Sequence, residues 1–366
     1  MPLLTIFLHH VLNLAMDTST TISDNKSPVK GYILLAVNGL FLTLGGGCAP
    51  LVSRIYFLHG GQRKWFTAWI QTAAWPLLLI PLSLPKFFSK KLQSQQEKSH
   101  LTFPLALQSA GIGLLIGLDD YMYAFGLSYL PVSTSSLLLC TQLAFTALFA
   151  FVLVRYRFTA YSINAVVLLT LGPVLLGLGA RGDRPEGVSG AKYALGYVMT
   201  VGTAAVFGLV VPLLELVYGK AKVVVTYTLV LEMQVIMYVV ATAFCTVGMI
   251  ANKDFQAIPI EAREFGLGEF KYYLTVVASG VMWQLFFIGS AGFIFCTSSM
   301  FTGVFVALQI PLSELLVVIF FHEKFTGEKG MALVLSMWGF VSYFYGEHLN
   351  ARKKKGPDMD TAINQL

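Results

Sequence analysis

Charge is what this sequence has least of. Asp, Glu, Lys and Arg make up 12% of its 366 residues, where a soluble domain carries roughly 25%. So few charges cannot cover the water-facing surface of a chain this long, which excludes an ordinary soluble globule. Cysteine is also scarce. Cys48, Cys140, Cys245 and Cys296 fall in apolar stretches, at spacings that match neither a metal site nor a disulfide framework. They read as small buried side chains. No Gly-rich loop ends in Lys-Ser/Thr, which argues against an ATP-driven pump. A membrane-embedded enzyme finds no support either, because neither a metal cluster nor a nucleophile–histidine pair emerges. His9, His10, His59, His100, His322 and His348 all lie in tails or at expected helix ends. No cofactor is implied.

The net charge of +6 does not gather into a basic face with interleaved aromatics, so nucleic acid is not an expected partner. Lys353, Lys354 and Lys355 read as a solvated tail at a membrane surface. The apolar stretch Met1–Met16 lacks a basic leader and a clear cleavage site. It is expected to be disordered or to lie on the surface. Asn25-Lys26-Ser27 matches a glycosylation sequon but falls on the side expected to be cytosolic.

What is abundant is apolar: 56% hydrophobic residues, 28 Phe and 33 Gly. A helix of roughly 20 apolar residues crosses the hydrocarbon core of a bilayer. Such segments lie near 31–52, 65–84, 104–127, 131–153, 161–180, 193–217, 224–250, 270–293, 297–320 and 329–347. The fold expected is an all-α membrane protein with ten transmembrane helices. With both termini inside, the cytoplasmic segments hold 14 of the 25 Lys and Arg residues. The excess is small but of the right sign. The chain then reads as a cytoplasmic tail over 1–30, a five-helix repeat over 31–180, a second over 181–348, and a cytoplasmic tail over 349–366. It is expected as a multi-pass protein of the plasma membrane. Nothing in the pattern fixes an oligomeric state.

The two halves resemble each other. Gln142-Leu-Ala-Phe-Thr146 parallels Gln309-Ile-Pro-Leu-Ser313, Arg157-Phe158-Thr159 parallels Lys324-Phe325-Thr326, and Gly172 and Gly179 match Gly339 and Gly346, all at an offset of 167 residues. Thr134-Ser135-Ser136 parallels Thr297-Ser298-Ser299 with a displacement of about one helical turn. Five spans per half is odd, so the second copy must insert upside down, and inverted repeats with a site at their interface are a transporter signature.

All 25 Lys and Arg fall in connections, helix ends or tails. A carrier of phosphorylated sugars or nucleotides needs buried cations, so that substrate class is disfavoured. Carboxylates behave differently. Asp119, Asp120, Glu215, Glu232 and Glu314 fall within spans, where a charge costs about 2.5–3.5 kcal/mol on insertion scales. They imply protons or partners, and hence proton symport. Asp119, Asp120, Glu232 and Glu314 are the candidate proton carriers, while Glu215 reads as interfacial. Adjacent helical side chains point about 100° apart, so one of Asp119 and Asp120 is expected to face the cavity, with Asp119 sharing a face with Tyr123.

Asn38, Gln71, Gln142, Gln234, Gln284 and Gln309 also lie inside spans. An amide sets a donor beside an acceptor, which matches the edge of adenine. Trp75, Tyr121 and Trp283 could stack on a planar ring. Gln71 and Trp75 are expected on one face of the second span. Gly45-Gly46-Gly47 with Pro50 is expected to break or loosen the first span, and Gly113 and Gly117 form a small-residue face on the third. Acids, amides and rings without cations suit a small planar nitrogen heterocycle, neutral or protonatable.

Several longer stretches carry a resemblance. They are Arg54-Ile-Tyr-Phe-Leu-His-Gly-Gly61, Gln71-Thr-Ala-Ala-Trp-Pro-Leu77, Gly117-Leu-Asp-Asp-Tyr121, Gly126-Leu-Ser-Tyr-Leu-Pro-Val-Ser-Thr-Ser-Ser-Leu137, Asp254-Phe-Gln-Ala-Ile-Pro259, Phe320-Phe-His-Glu-Lys-Phe325 and Trp338-Gly-Phe-Val-Ser-Tyr-Phe-Tyr-Gly346. Over roughly residues 31–348 the sequence resembles the plant purine permease family of the drug/metabolite transporter superfamily. The resemblance implies ten helices, alternating access, and proton-coupled uptake of adenine, cytokinins and other nucleobase derivatives. Some similar proteins carry alkaloids or vitamin-B6-like compounds, so those remain an alternative cargo. A channel is a further alternative, which saturable uptake against a gradient would exclude.

Overall fold

A computed structural model describes residues 28–88, 101–130, 135, 138–179, 189–309 and 327–363. Glu314, Pro311, Thr134, Ser136, Lys324-Phe325-Thr326 and the N-terminal stretch with its sequon lie outside them. The described residues are helical, with no strand among them. The helices are α1 (Pro28–Leu58), α2 (Lys64–Ala73), α3 (Leu79–Phe88), α4 (Phe103–Tyr129), α5 (Gln142–Phe149), α6 (Ala160–Gly179), α7 (Gly190–Lys220), α8 (Tyr227–Ala251), α9 (Asp254–Glu264), α10 (Glu269–Cys296), α11 (Ser299–Gln309) and α12 (Gly327–Ile363). Five stretches are long and apolar enough to cross a membrane: Gly31–Leu58, Lys64–Ser83, Gly190–Lys220, Tyr227–Ala251 and Glu269–Cys296. In hydrocarbon every backbone donor and acceptor must be satisfied within the segment, and a helix does this.

Two local expectations are corrected. The Gly45-Gly46-Gly47 run with Pro50 does not break the first span: α1 is one continuous helix through Leu58. The glycines serve packing instead. A Cβ on Gly45 would sit 2.3 Å from the backbone nitrogen of Phe286, and one on Gly289 would sit 2.3 Å from that of Leu42. Helices α1 and α10 therefore touch backbone to backbone along a seam of small residues. The second correction concerns Gln71 and Trp75. The α-helix stops at Ala73, Trp75–Leu78 forms a 3₁₀ turn, and α3 resumes at Leu79. Pro76 disfavours α geometry at Trp75 and has no N–H to donate. The two side chains therefore do not share a helical face as expected.

Helix α4 lies between α7 and α8. Gly113 meets the Met237 carbonyl and Gly117 meets Ala241 and Phe244 on the α8 side, while Gly126 meets Thr200 of α7. On the α7 side the Thr203 hydroxyl donates to the Asp119 carbonyl at 3.4 Å. This two-sided burial is why both acids of the Asp119-Asp120 pair are buried although they point apart.

One end of the bundle is capped. Gly60 and Gly268 adopt φ of +107° and +92°, a region open to glycine, and they turn the chain into α2 and α10. The cap centres on Glu261 of α9. It accepts hydrogen bonds from the Tyr56 hydroxyl, from the Tyr272 hydroxyl at 3.1 Å and from the Gln62 N–H at 3.1 Å. Arg63 sits 3.9 Å from it and 3.6 Å from Asp254. Burial raises the Asp254 carboxyl above its usual range, against the opposing pull of Asn252 and Arg63. Replacing Glu261 with Ala would leave two tyrosine hydroxyls and the Gln62 N–H without their acceptor. We expect a loss of about 1–3 kcal/mol, read as a lower midpoint in denaturant titration of the detergent-solubilised protein. Glu261→Gln, which keeps an acceptor, should lose less.

Candidate functional site

The middle of the bundle holds a cavity of about 30 Å³. Its walls come from four helices: Ile116 and Asp119 of α4, Phe207 and Val211 of α7, Met237 and Tyr238 of α8, and Phe287 and Ser290 of α10. Its lining includes no Lys or Arg. Asp119 lines the cavity and Asp120 does not. The Asp119 Oδ1 and the Asp120 Oδ2 are both buried without a hydrogen-bond partner among the described residues.

The amides show the same shortage of partners. Gln71, Gln284 and Gln309 are buried, and neither amide atom of any of them finds a hydrogen bond among the described residues. Gln234 donates from Nε2 to the Phe287 carbonyl at 2.8 Å, but its Oε1 is unpartnered. A buried donor or acceptor left unmade costs about 1–3 kcal/mol, and folded proteins retain few of them. Several polar side chains are thus buried in the bundle without partners among the described residues.

The remaining candidates sit in other surroundings. Asn38 is satisfied on both sides: its Nδ2 donates to the Leu34 carbonyl at 2.8 Å, and its Oδ1 accepts from the Tyr227 hydroxyl at 3.0 Å. It ties α1 to the start of α8. Trp283 donates from Nε1 to the Ser53 hydroxyl at 3.1 Å and stacks near Phe287 with centroids 5.8 Å apart. Tyr123 packs edge-on against it at 5.4 Å. Gln142 is half-buried at the start of α5, with its backbone carbonyl close to Gly208 of α7. Trp75 and Glu232 are half-buried. Glu215 accepts the Ser299 N–H at 2.6 Å, capping the start of α11. Tyr121 faces a different cavity, where it stacks on Trp65. Glu314 lies outside the described residues.

Phe207, Tyr238, Phe287 and Ser290 were not singled out from sequence. Tyr238 follows Gln234 by four positions, so helical spacing from a buried amide was a usable signal. A second signal is spacing between the halves. Gln71 and Gln234 are 163 residues apart, Asp120 and Gln284 are 164 apart, and Gln142 and Gln309 are 167 apart. The members of each pair fall on α2 and α8, α4 and α10, and α5 and α11.

Comparison with known proteins bears on this chemistry. A family profile described as purine nucleobase transmembrane transport matches residues 33–353. Purine permease 3 of Arabidopsis thaliana is 43% identical over 326 residues, covering 88% of this chain and 93% of the relative. Purine permease 2 of the same plant is 42% identical over 348 residues, covering 91% and 97%. A solved crystal structure, 17% identical, aligns with a TM-score of 0.60 over 85% of this chain and 98% of its own, which speaks to the fold alone. A profile match over most of the length, relatives above 40% identity and a bundle of apolar helices together lead to one conclusion: this chain is an integral membrane protein of the purine permease family.

Proposed function

We propose that the chain is a proton-coupled symporter that takes up purine bases and derivatives such as cytokinins by alternating access. The observation that carries this reading is the central cavity, where an unpartnered carboxyl lies among rings within a bundle that buries orphaned amides. A carboxyl accepts from ring N–H or from a protonated ring nitrogen, an amide pairs with the donor–acceptor edge of a base, and aromatic faces stack on its plane. No cation is there to hold a phosphate. The relatives' names, purine permease 2 and 3, agree with this cargo.

The architecture we propose is ten spans in two inverted five-helix repeats, 31–180 and 181–348, with the termini and their tails in the cytosol and the protein at the plasma membrane. Helix contacts support it. If α1, α2, α4, α5 and α6 correspond to α7, α8, α10, α11 and α12, several of the most extensive contacts among the described helices pair off. Thus α1 on α10 matches α7 on α4, α4 on α8 matches α10 on α2, and α2–α8 and α6–α12 map onto themselves. The paired polar positions then come from equivalent places in the two repeats. At about 30 Å³ the cavity admits little more than water, so the helices around it must part for a bicyclic ring to enter.

Uptake of radiolabelled adenine into yeast lacking its own adenine transport tests the reading. We expect saturable accumulation that is faster in mildly acidic than in neutral medium and that a protonophore abolishes. Uptake of adenine and cytokinins no better than in cells with empty vector would refute it. Stronger competition by an alkaloid or a vitamin-B6-like compound than by adenine would move the cargo to that class.

A further inference from the structure

A second cavity, of about 250 Å³, opens at the capped end of the bundle. It is lined by Gln62, Arg63, Lys64, Trp65, Tyr121 and Asn252. Drug-sized ligands fill pockets of roughly 300–1,000 Å³, so this space suits something smaller, on the scale of one bicyclic ring. Its aromatic wall is the Trp65–Tyr121 stack, with centroids 3.8 Å apart and planes inclined by 21°. The Trp65 indole also packs against α8: a Cβ on Gly248 would fall 2.2 Å from the ring. Trp65 is therefore held against α8, and Tyr121 of α4 is the ring whose place a ligand would take. The rest of the wall brings two amides and two cations. The Lys64 ammonium is positioned by the Tyr129 hydroxyl at 2.7 Å and lies over the Phe125 and Tyr129 rings. Arg63 is held by Asp254 and Glu261.

The chemistry here is opposite in sign to that of the central cavity. No carboxylate lines this space, and every charged group facing it is a donor. We propose that it is a vestibular binding site for planar nitrogen heterocycles, which stack on Trp65 in place of Tyr121 and turn their acceptor atoms toward Lys64, Gln62 and Asn252. The inference rests on the transport reading above and adds a first stop to it. Tyr121 directly follows Asp120 in α4, so the vestibule and the acid pair share one helix. The vestibule favours acceptor-rich edges, and the acid-lined centre favours donor-rich ones. A purine carries both, so passage through the two sites in turn selects for rings that present both edges.

Adenine is the probe, added to the purified full-length protein while intrinsic tryptophan fluorescence is recorded. We expect quenching in two phases, a tighter one from the central cavity near Trp283 and a weaker one from the vestibule. Trp65→Phe should delete the weaker phase and leave the tighter one. Trp65→Leu keeps an apolar side chain but removes the stacking plate. In uptake assays it should shift the half-saturating adenine concentration by about fivefold or more, as loss of a base–aromatic stack does, with the maximal rate unchanged. A single phase in the unsubstituted protein, or a weaker phase that persists in Trp65→Phe, would overturn the vestibular site while leaving the transport reading intact. Absence of both quenching and uptake would overturn the transport reading itself.

Discussion

Replacing Asp120 with Asn is expected to abolish accumulation of adenine against its gradient while leaving the bundle folded. Asn has nearly the shape of Asp and keeps an acceptor oxygen, so packing against α8 should survive, but it carries no exchangeable carboxyl proton. The size of the effect follows from the driving force. A neutral ring carried with one proton across a gradient of one pH unit gains about 1.4 kcal/mol, which is tenfold in concentration. Because that step moves charge, the membrane potential adds about 2.3 kcal/mol per 100 mV. Uncoupling should therefore reduce the accumulation ratio by at least about tenfold, to the passive limit. Asp119→Asn should act differently. Asp119 lines the cavity and Asp120 does not, so the first change should raise the half-saturating concentration and the second should remove sensitivity to pH and protonophore. Concentrative, protonophore-sensitive uptake by Asp120→Asn would assign the proton elsewhere. Glu232, half-buried on α8, would be next, through Glu232→Gln.

Much of this site was legible before any coordinates. The sequence places Lys and Arg in connections, helix ends and tails, and the lining of the central cavity holds neither among the described residues. Gly113 and Gly117 read as a packing face because their spacing repeats each helical turn, and both meet α8. What could not be read is which partner each residue meets. Tyr121 looked like a stacking plate, but its counterpart Trp65 lies on another helix and at no helical spacing from it. Asn38 and Gln234 are alike in sequence, one amide in an apolar run. Only contacts separate them, since a tyrosine from α8 satisfies Asn38 whereas Gln234 keeps an orphaned oxygen. Local chemistry misled in one place: Gly45-Gly46-Gly47 and Pro50 are helix breakers in water, but in a membrane the cost of exposed backbone keeps the helix intact.

That same glycine run predicts the largest effect on folding. Gly45→Leu should yield no monodisperse protein, and even Gly45→Ala should cut the folded fraction severely. The reason is what the new Cβ meets. It would lie 2.3 Å from the Phe286 nitrogen and 2.7 Å from the Met282 carbonyl oxygen. These are backbone atoms of a helix, so no rotamer change can relieve the contact. Helix α10 would have to retreat by about 1 Å along the whole seam, which would also lift Gly289 from Leu42 and Gly292 from Asn38. Overpacking costs about 1–3 kcal/mol where side chains can adjust, and more where they cannot, out of a total stability of about 5–15 kcal/mol. The control is the same substitution at Gly111, midway along the first half of α4, where an added Cβ meets nothing within 4 Å. There alanine gains helix propensity, worth about 0.5–1 kcal/mol over glycine, and the protein should be no less stable than before. Fluorescence-detected size exclusion of both variants gives the comparison. Equal monodisperse peaks from Gly45→Ala and Gly111→Ala would mean that α1 and α10 do not meet backbone to backbone, and the proposed match of this seam to that of α4 and α7 would fall with it.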